Sequence, residues 1–460
     1  MAQKFPCLRL FLISLLVSFG GSFHFGYQLV LTNPSQGAFL NFLHASFLMR
    51  YDTDLTPQAQ KSIWSVIVAL LFVGAIIGSL VLPLIADRVG RKNGMYISTS
   101  LMVVACVMSA LSKSITSFEL FTAGRLLFGV AIGLSLGLAS LLLSESSPKQ
   151  CRGFVSMTTG ILLQLGIIAG STVGMQIVFG SDDSWPMIYW VEIVPLIVLM
   201  VSLPFIDESP SFLVANGKEH EARNAIRNFY NCASGEVDKV LLEMKESQQF
   251  NSKRTTLFAV FKDNESRRGT LVGCVVAVGM AFCGIAVINA FAVKLFQDVG
   301  LSIRDASIAN IGLGVVSFLG NTLSAVVIDK CGRRPLLLII NTLLIVSNVL
   351  IFGLLYSYRE LELPALGYCL IAVIALFIFA FGMGPGPIAF FITTEMVSQR
   401  SRSAGQSCAN ITQMLCRGVI LAIYLPLDGL IGPLSYAILF IVPLTAATVL
   451  LYFYLPETKN

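Results

Sequence analysis

The chain has 460 residues, 55% hydrophobic and 12% charged, with a formal net charge of +5 and a mean hydropathy of +0.78. A soluble domain carries about a quarter charged residues, so this apolar content excludes a single water-soluble core and points to a bilayer as solvent. The small basic excess gives no argument for a nucleic-acid partner and fits basic cytoplasmic loops.

A spanning helix needs about 20 mostly apolar residues. The first such run, 8–31, follows Lys4 and Arg9. It is too long for a secretory leader and has no small-residue cleavage site, so it reads as a first span. Further runs lie at 63–85, 94–112, 118–143, 154–177 and 187–206, then at 270–295, 305–327, 335–356, 366–392, 404–425 and 431–454. The predicted fold is an all-α membrane protein with twelve transmembrane helices in two six-helix pseudo-symmetric halves. The halves are 1–206 and 270–460, and 207–269 is a cytoplasmic linker with short helices. Helical periodicity in that linker shows at Ala222, Ile226, Phe229 and Tyr230. Most of the ten cysteines sit in apolar runs without a C-x-x-C pair, which argues for free thiols over zinc or disulfides. No cofactor is expected.

Orientation follows from Lys and Arg in short loops. Loops after spans 2, 4, 8 and 10 carry Arg88, Arg91, Lys92, Lys149, Arg152, Lys330, Arg333, Arg334, Arg400 and Arg402. The opposite loops carry Arg50, Lys61, Lys113, Arg304 and Arg359. The first set, and both termini, are therefore placed in the cytoplasm, with the plasma membrane as the expected location.

The halves repeat. Asp87-Arg88-Val89-Gly90-Arg91-Lys92 follows span 2, and Asp329-Lys330-Cys331-Gly332-Arg333-Arg334 follows span 8, 242 residues later. Glu145 and Arg152 at the end of span 4 are matched by Glu395 and Arg402 at the end of span 10, both displaced by 250 residues. Duplicated halves are the build of alternating-access carriers. Gly90 and Gly332 suit tight turns. Arg91, Lys92, Arg333 and Arg334 are placed to reach Glu145, Glu395 and Asp329. Such pairs, formed across the halves, would latch the cytoplasmic side; the alternative is that the charges only enforce topology. Arg125, inside span 4, is expected to be paired, but spacing leaves its partner open.

The chain resembles the sugar porters of the major facilitator superfamily, and among them the animal facilitative hexose transporters, especially their fructose and urate branch. The resemblance rests on Gly26-Tyr27 and Asn33-Pro34, Trp64-Ser65-Val66, Gly124-Arg125, Gln164-Leu165-Gly166, Glu208-Ser209-Pro210, Gly384-Pro385-Gly386-Pro387-Ile388 and the closing Leu455-Pro456-Glu457-Thr458-Lys459. It implies the major facilitator fold and a sugar contact at Gln164. The family's span 7 amides are replaced by Met280-Ala281-Phe282-Cys283-Gly284-Ile285-Ala286. Ser317 stands for a sugar-binding asparagine, Gly382 for a glutamate, Phe390 for a tryptophan and Ser211 for an arginine. The fold carries over better than the hexose pocket does.

Span 11 offers a substitute. Gln406, Asn410, Gln413 and Arg417, spaced 4, 3 and 4 apart, share one helix face. Polar stripes in spans face cavities or other helices. The Arg417 guanidinium could hold an anion bidentately, or could instead pair with a neighbouring carbonyl or acid. In span 1, Gln28 stands where proton-coupled relatives carry a carboxylate, and glutamine cannot cycle a proton, which argues for uniport. His24, one turn earlier, keeps proton coupling open. The sequon at Asn264 falls in the linker and is read as unused.

The leading expectation is facilitative transport of a hexose or similar small polar solute by a monomer. The alternatives are transport of an organic anion such as urate, or a non-transporting solute sensor. The expected substrate site is Gln164, Gln28, Gln413, Arg417, Asn410, Ser317 and Phe390. Nothing resembles a catalytic constellation, and no enzyme is expected.

Overall fold

The computed structural model describes residues 7–148, 151–230, 234–249, 259–298, 300–361, 363–397 and 401–456. Within some described helices the side chains of a few residues are not described, Arg152, Asp329, Phe390, Glu395 and Arg402 among them. The described residues are nearly all helical.

Among the described residues eleven helices are long and apolar enough to cross a membrane, and the shorter apolar helix Met157–Val173 completes the twelve expected spans. In the first half they are Leu8–Val30, Pro57–Arg88, Arg91–Ser114, Phe118–Ser146, Met157–Val173 and Pro186–Phe205. Local chemistry sets their ends. Span 2 starts where the Thr56 hydroxyl accepts the Ala59 N–H and Pro57 fills the first helical position. It turns into span 3 at Gly90, whose φ of +100° is costly for residues with a Cβ. Span 8 turns into span 9 the same way at Gly332, φ +85°.

Glycines also let helices touch backbone to backbone. A Cβ on Gly26 would press on the Leu163 carbonyl, and one on Gly166 on the Phe23 carbonyl, so spans 1 and 5 meet without intervening side chains. Spans 2 and 4 do the same through Gly74, Gly78, Gly129 and Gly133. Close approach through small residues is how helices associate where lipid removes the hydrophobic drive.

Among the described residues four spans depart from a plain α-helix, span 12 by a π turn at Ala437–Ile441. Span 1 contains a π turn, Phe19–Phe23. Span 7 breaks between Asn264–Ala281 and Ile285–Asp298, with Gly284 at φ +101°. The break is held from two other spans: Asn348 Nδ2 donates to the Cys283 carbonyl at 2.9 Å, and the Tyr436 hydroxyl donates to Asn348 Oδ1 at 2.9 Å. Span 10 breaks at Gly384, between Pro364–Met383 and Pro385–Met396. Broken helices are tolerated at membrane depth where they are buried in protein or line a cavity.

The helix Gln36–Tyr51, between spans 1 and 2, was not anticipated from the sequence. It drives Phe39 between Trp64, at 5.1 Å centroid to centroid, and Trp185, at 4.9 Å, and so covers one end of the first half. At the other end lie the linker helices Pro210–Ala215, Glu219–Tyr230 and Ser234–Gln249. The second buries Ala222, Ala225, Ile226 and Phe229 in one core with Leu10 and Val17 of span 1. Arg9 ties the chain start to Asn228 at 2.9 Å. On the exposed side Lys245, 2.5 Å away, holds the Glu219 carboxyl below its ordinary range.

Candidate functional site: the cavity between the halves

A cavity lies between the two halves. From the first half come Leu29, Val30, Gly160, Leu163, Gln164 and Ile167. From the second come Met280 beside the span 7 break, Asn289, Asn310, Ser317, Asn321, Phe381, Gly386 and Arg417, with several isoleucines. A few convergent polar groups on an apolar wall are the usual make-up of a small-solute site. Gln164 and Arg417 are each 3% exposed, and both keep an unpartnered buried atom, Oε1 and Nε respectively.

Gly382 explains one departure from the resemblance. A Cβ there would come 2.9 Å from the Ser317 carbonyl. Spans 8 and 10 are packed too closely at that point for a glutamate.

Three of the expected site residues line the cavity: Gln164, Ser317 and Arg417. Gln28 does not. Its Nε2 donates to Glu192 Oε2 at 2.5 Å, and its Oε1 accepts from Arg125 Nη1 at 2.7 Å, inside the first half. The rest of the span 11 stripe also falls short of the cavity. Gln406 Nε2 donates to Asn410 Oδ1 at 3.0 Å, and Gln413 Nε2 lies 2.7 Å from the Met280 sulfur, which stands between it and the cavity. A shared face is therefore not a shared destination: this face runs along span 7, and only its Arg417 end passes the helix break. The Phe390 side chain lies outside the described residues.

The partner of Arg125 is now evident, and it brings in a residue the sequence reading missed. Glu192 of span 6, 1% exposed, accepts from Gln28 and lies 3.2 Å from His24 Nδ1 and 3.6 Å from Cys106 Sγ. Spans 1, 3 and 6 thus meet on one buried carboxylate, and Arg125 of span 4 reaches it through Gln28. Its signal was present as a lone acid in the apolar run 187–206, where an ionisable residue is rare without a role.

At the linker end, Arg91 Nη2 donates to Glu145 Oε1 at 2.7 Å, and the Ser209 hydroxyl donates to Glu145 Oε2. Glu208 accepts the backbone N–H groups of Arg91 and Lys92 at 3.1 Å each, capping the positive end of span 3. These pairs were expected across the halves; this one closes within the first half, because the Gly90 turn lands Arg91 beside the end of span 4. Arg334 donates to the Tyr452 carbonyl at 2.8 Å, also within its own half. The side chains of Arg152, Asp329, Glu395 and Arg402 lie outside the described residues, and Arg333 opens span 9 at the same end.

Polar contacts between the halves lie elsewhere. Asn33, just after span 1, donates to the Asn289 carbonyl and accepts from the Val293 N–H, both at 3.1 Å. Asn310 donates to Ser171 at 3.1 Å. The halves are pinned together on the side away from the linker.

Two six-helix halves around a shared, mostly apolar cavity with a few polar groups, and broken helices at its edge, define a secondary carrier. The chain belongs to the sugar (and other) transporter family, whose model matches residues 13–460. It is 30% identical over 443 residues to the facilitated glucose transporter member 1 of Gallus gallus, covering 96% of this chain and 89% of that one. It is 28% identical over 461 residues to member 9 of Homo sapiens, covering 98% and 83%. In fold it is similar to the E. coli xylose transporter XylE in a partially occluded inward-open conformation, with a TM-score of 0.80 at 20% identity and 99% of each chain covered.

Proposed function

We propose that the protein is a facilitative carrier for a hexose or similar small polar solute, working by alternating access as a monomeric uniporter in the plasma membrane. The observation that carries this reading is the cavity walled by Gln164 of one half and Arg417 and Ser317 of the other. Relatives named as facilitated glucose transporters, matched over nearly the whole chain, support the solute class. The units are residues 1–206 and 270–460 with the linker 207–269 on the cytoplasmic side, where both termini lie; the Lys and Arg bias supports that orientation. The Asn33 and Asn310 contacts then close the outer side. Uptake of radiolabelled glucose, fructose and xylose into proteoliposomes tests the reading, and no saturable uptake of any of them would refute it.

The first-half charge cluster is read as a clamp on the cytoplasmic side, with Glu395 as its counterpart. Arg91 is 3% exposed, and neutralising Glu145 removes the nearer of its two carboxylate partners, leaving Asp87 at 4.0 Å. Glu145→Gln is expected to cut the initial uptake rate several-fold while the protein still reaches the membrane, and Glu395→Gln to act likewise. Full rates in both variants at equal surface expression would leave the charges with topology alone.

Uniport predicts that solute flux is indifferent to an imposed proton gradient. Gln28 cannot cycle a proton, and the nearby Glu192 is enclosed in the first half, away from the cavity wall. Uphill accumulation driven by an inward proton gradient, and lost in His24→Ala, is the result that would reverse this reading.

A further inference from the structure

Asn321 reaches the cavity from span 8 one turn beyond Ser317, on the same helix face. The residue is 5% exposed, and its amide is held in one orientation. Nδ2 donates to the Ser317 carbonyl at 3.1 Å, which turns Oδ1 away from its own helix. The neighbouring helices agree with that orientation. A Cβ on Gly382 of span 10 would come 3.1 Å from Nδ2, and one on Gly160 of span 5 would come 3.1 Å from Oδ1. The oxygen therefore faces the other half across a bare glycine that itself lines the cavity. Among the described residues nothing donates to it. On span 5, one turn from Gly160, Gln164 Oε1 is placed alike: buried, at the cavity and without a partner. Each half thus brings one carbonyl oxygen without a donor to the same space. A buried acceptor left unsatisfied is costly, and the cost is recovered by an occupant with two donors to give.

We propose that Asn321 is a specificity-determining residue of the carrier: its Oδ1 accepts one hydroxyl of the bound solute while Gln164 Oε1 accepts another, so the cavity selects neutral polyols that donate to both halves at once. A hydroxyl suits the place because it donates and accepts through the same atom. Arg417, whose Nε–H is also unpartnered, stands on the wall to donate back to the solute oxygens. The bond from Nδ2 to the Ser317 carbonyl fixes the acceptor before the solute arrives, so little rotamer entropy is lost on binding. A solute with one free donor satisfies one half and leaves the acceptor of the other bare. The proposal deepens the carrier reading and rests on it.

The test uses the purified full-length protein in proteoliposomes, with radiolabelled glucose and fructose as substrates and the singly deoxyfluorinated forms of each as competitors. Fluorine stands close to a hydroxyl in size but has no proton to donate. Wild-type protein is expected to bind one such analogue more weakly than its parent sugar, by about fivefold or more. Asn321→Leu keeps the shape of the side chain and removes the acceptor. There the parent sugar is expected to weaken by about fivefold or more while that analogue hardly changes, so the gap between them closes. Asn321→Asp, which keeps an oxygen in the same place, is expected to retain the gap. Gly160→Ala, whose methyl would crowd Oδ1, is expected to narrow it, and it carries the test should the leucine variant not fold. Saturable uptake with a gap of unchanged size in both Asn321→Leu and Gly160→Ala, or with an equal loss for the parent sugar and every analogue, overturns the assignment and leaves the carrier standing. Wild-type protein that binds every analogue as well as the parent sugar does the same. No saturable uptake of either sugar refutes the carrier, and the assignment with it.

Discussion

Glu192→Ala is expected to melt the protein in detergent far below the parent, with a stability loss of about 1–3 kcal/mol for each buried group left unsatisfied. The carboxylate holds Gln28 at 2.5 Å and His24 at 3.2 Å, and Gln28 in turn orients Arg125 at 2.7 Å. Removing it takes from the Arg125 guanidinium, 1% exposed, the carboxylate that Gln28 links to it, and leaves the Gln28 amide with an unmatched N–H. Glu192→Gln can still accept from Gln28 and contact His24, and is expected to lose less. The measurement is intrinsic-fluorescence melting of the three purified proteins. An alanine variant that melts with the parent would mean that the cluster contributes nothing to holding spans 1, 4 and 6 together.

Gly166→Val is expected to abolish a folded, monodisperse product. The added Cβ would sit on the Phe23 carbonyl and 3.0 Å from the Tyr27 nitrogen, and both are backbone atoms of span 1 that no rotamer change can move away. Gly26→Val attacks the same crossing from the other helix, through the Leu163 carbonyl. Overpacking a core side chain costs about 1–3 kcal/mol because neighbours shift; here two spans must separate. Gly37→Ala, with nothing within 4 Å of its Cβ, is the control and is expected to express as the parent does. Fluorescence-detected size-exclusion of tagged protein reads the outcome, and a sharp parental peak for Gly166→Val would disprove the backbone contact.

The fold was legible because it is written in hydropathy and repetition. Twelve apolar runs and two matching loop motifs survive any error of a few residues at their ends. The helix Gln36–Tyr51 was not, because Gln36, Asn41, His44 and Arg50 break its apolar run below a spanning signal. The lining of the cavity was legible in part. Gln164, Ser317 and Arg417 were placed in the cavity by resemblance and by the polar face of span 11. Gln28 was misplaced because a residue's position in a span does not say which neighbour it faces. The π turn at Phe19–Phe23 compounds this, since its wider coil throws a regular helical wheel out of phase just before His24. Glu192 escaped notice because one acid barely lowers the hydropathy of its run. Glu208 and Ser209 were visible as a motif, but their partners Arg91 and Glu145 lie far away in sequence, and only folding brings them together.

The helix break at Gly284 has a consequence for how the protein breathes. Between Ala281 and Ile285 the ladder of span 7 is interrupted, and one freed carbonyl depends on Asn348, itself held by Tyr436. Spans 1 and 5, by contrast, are locked by direct backbone contact, and the first half is cross-braced through one carboxylate. Local opening follows the least supported hydrogen bonds. In heavy water the amides flanking Gly284 should therefore exchange their protons well before those of Leu163–Ile167, and a bound solute should slow the former while leaving the latter as they were.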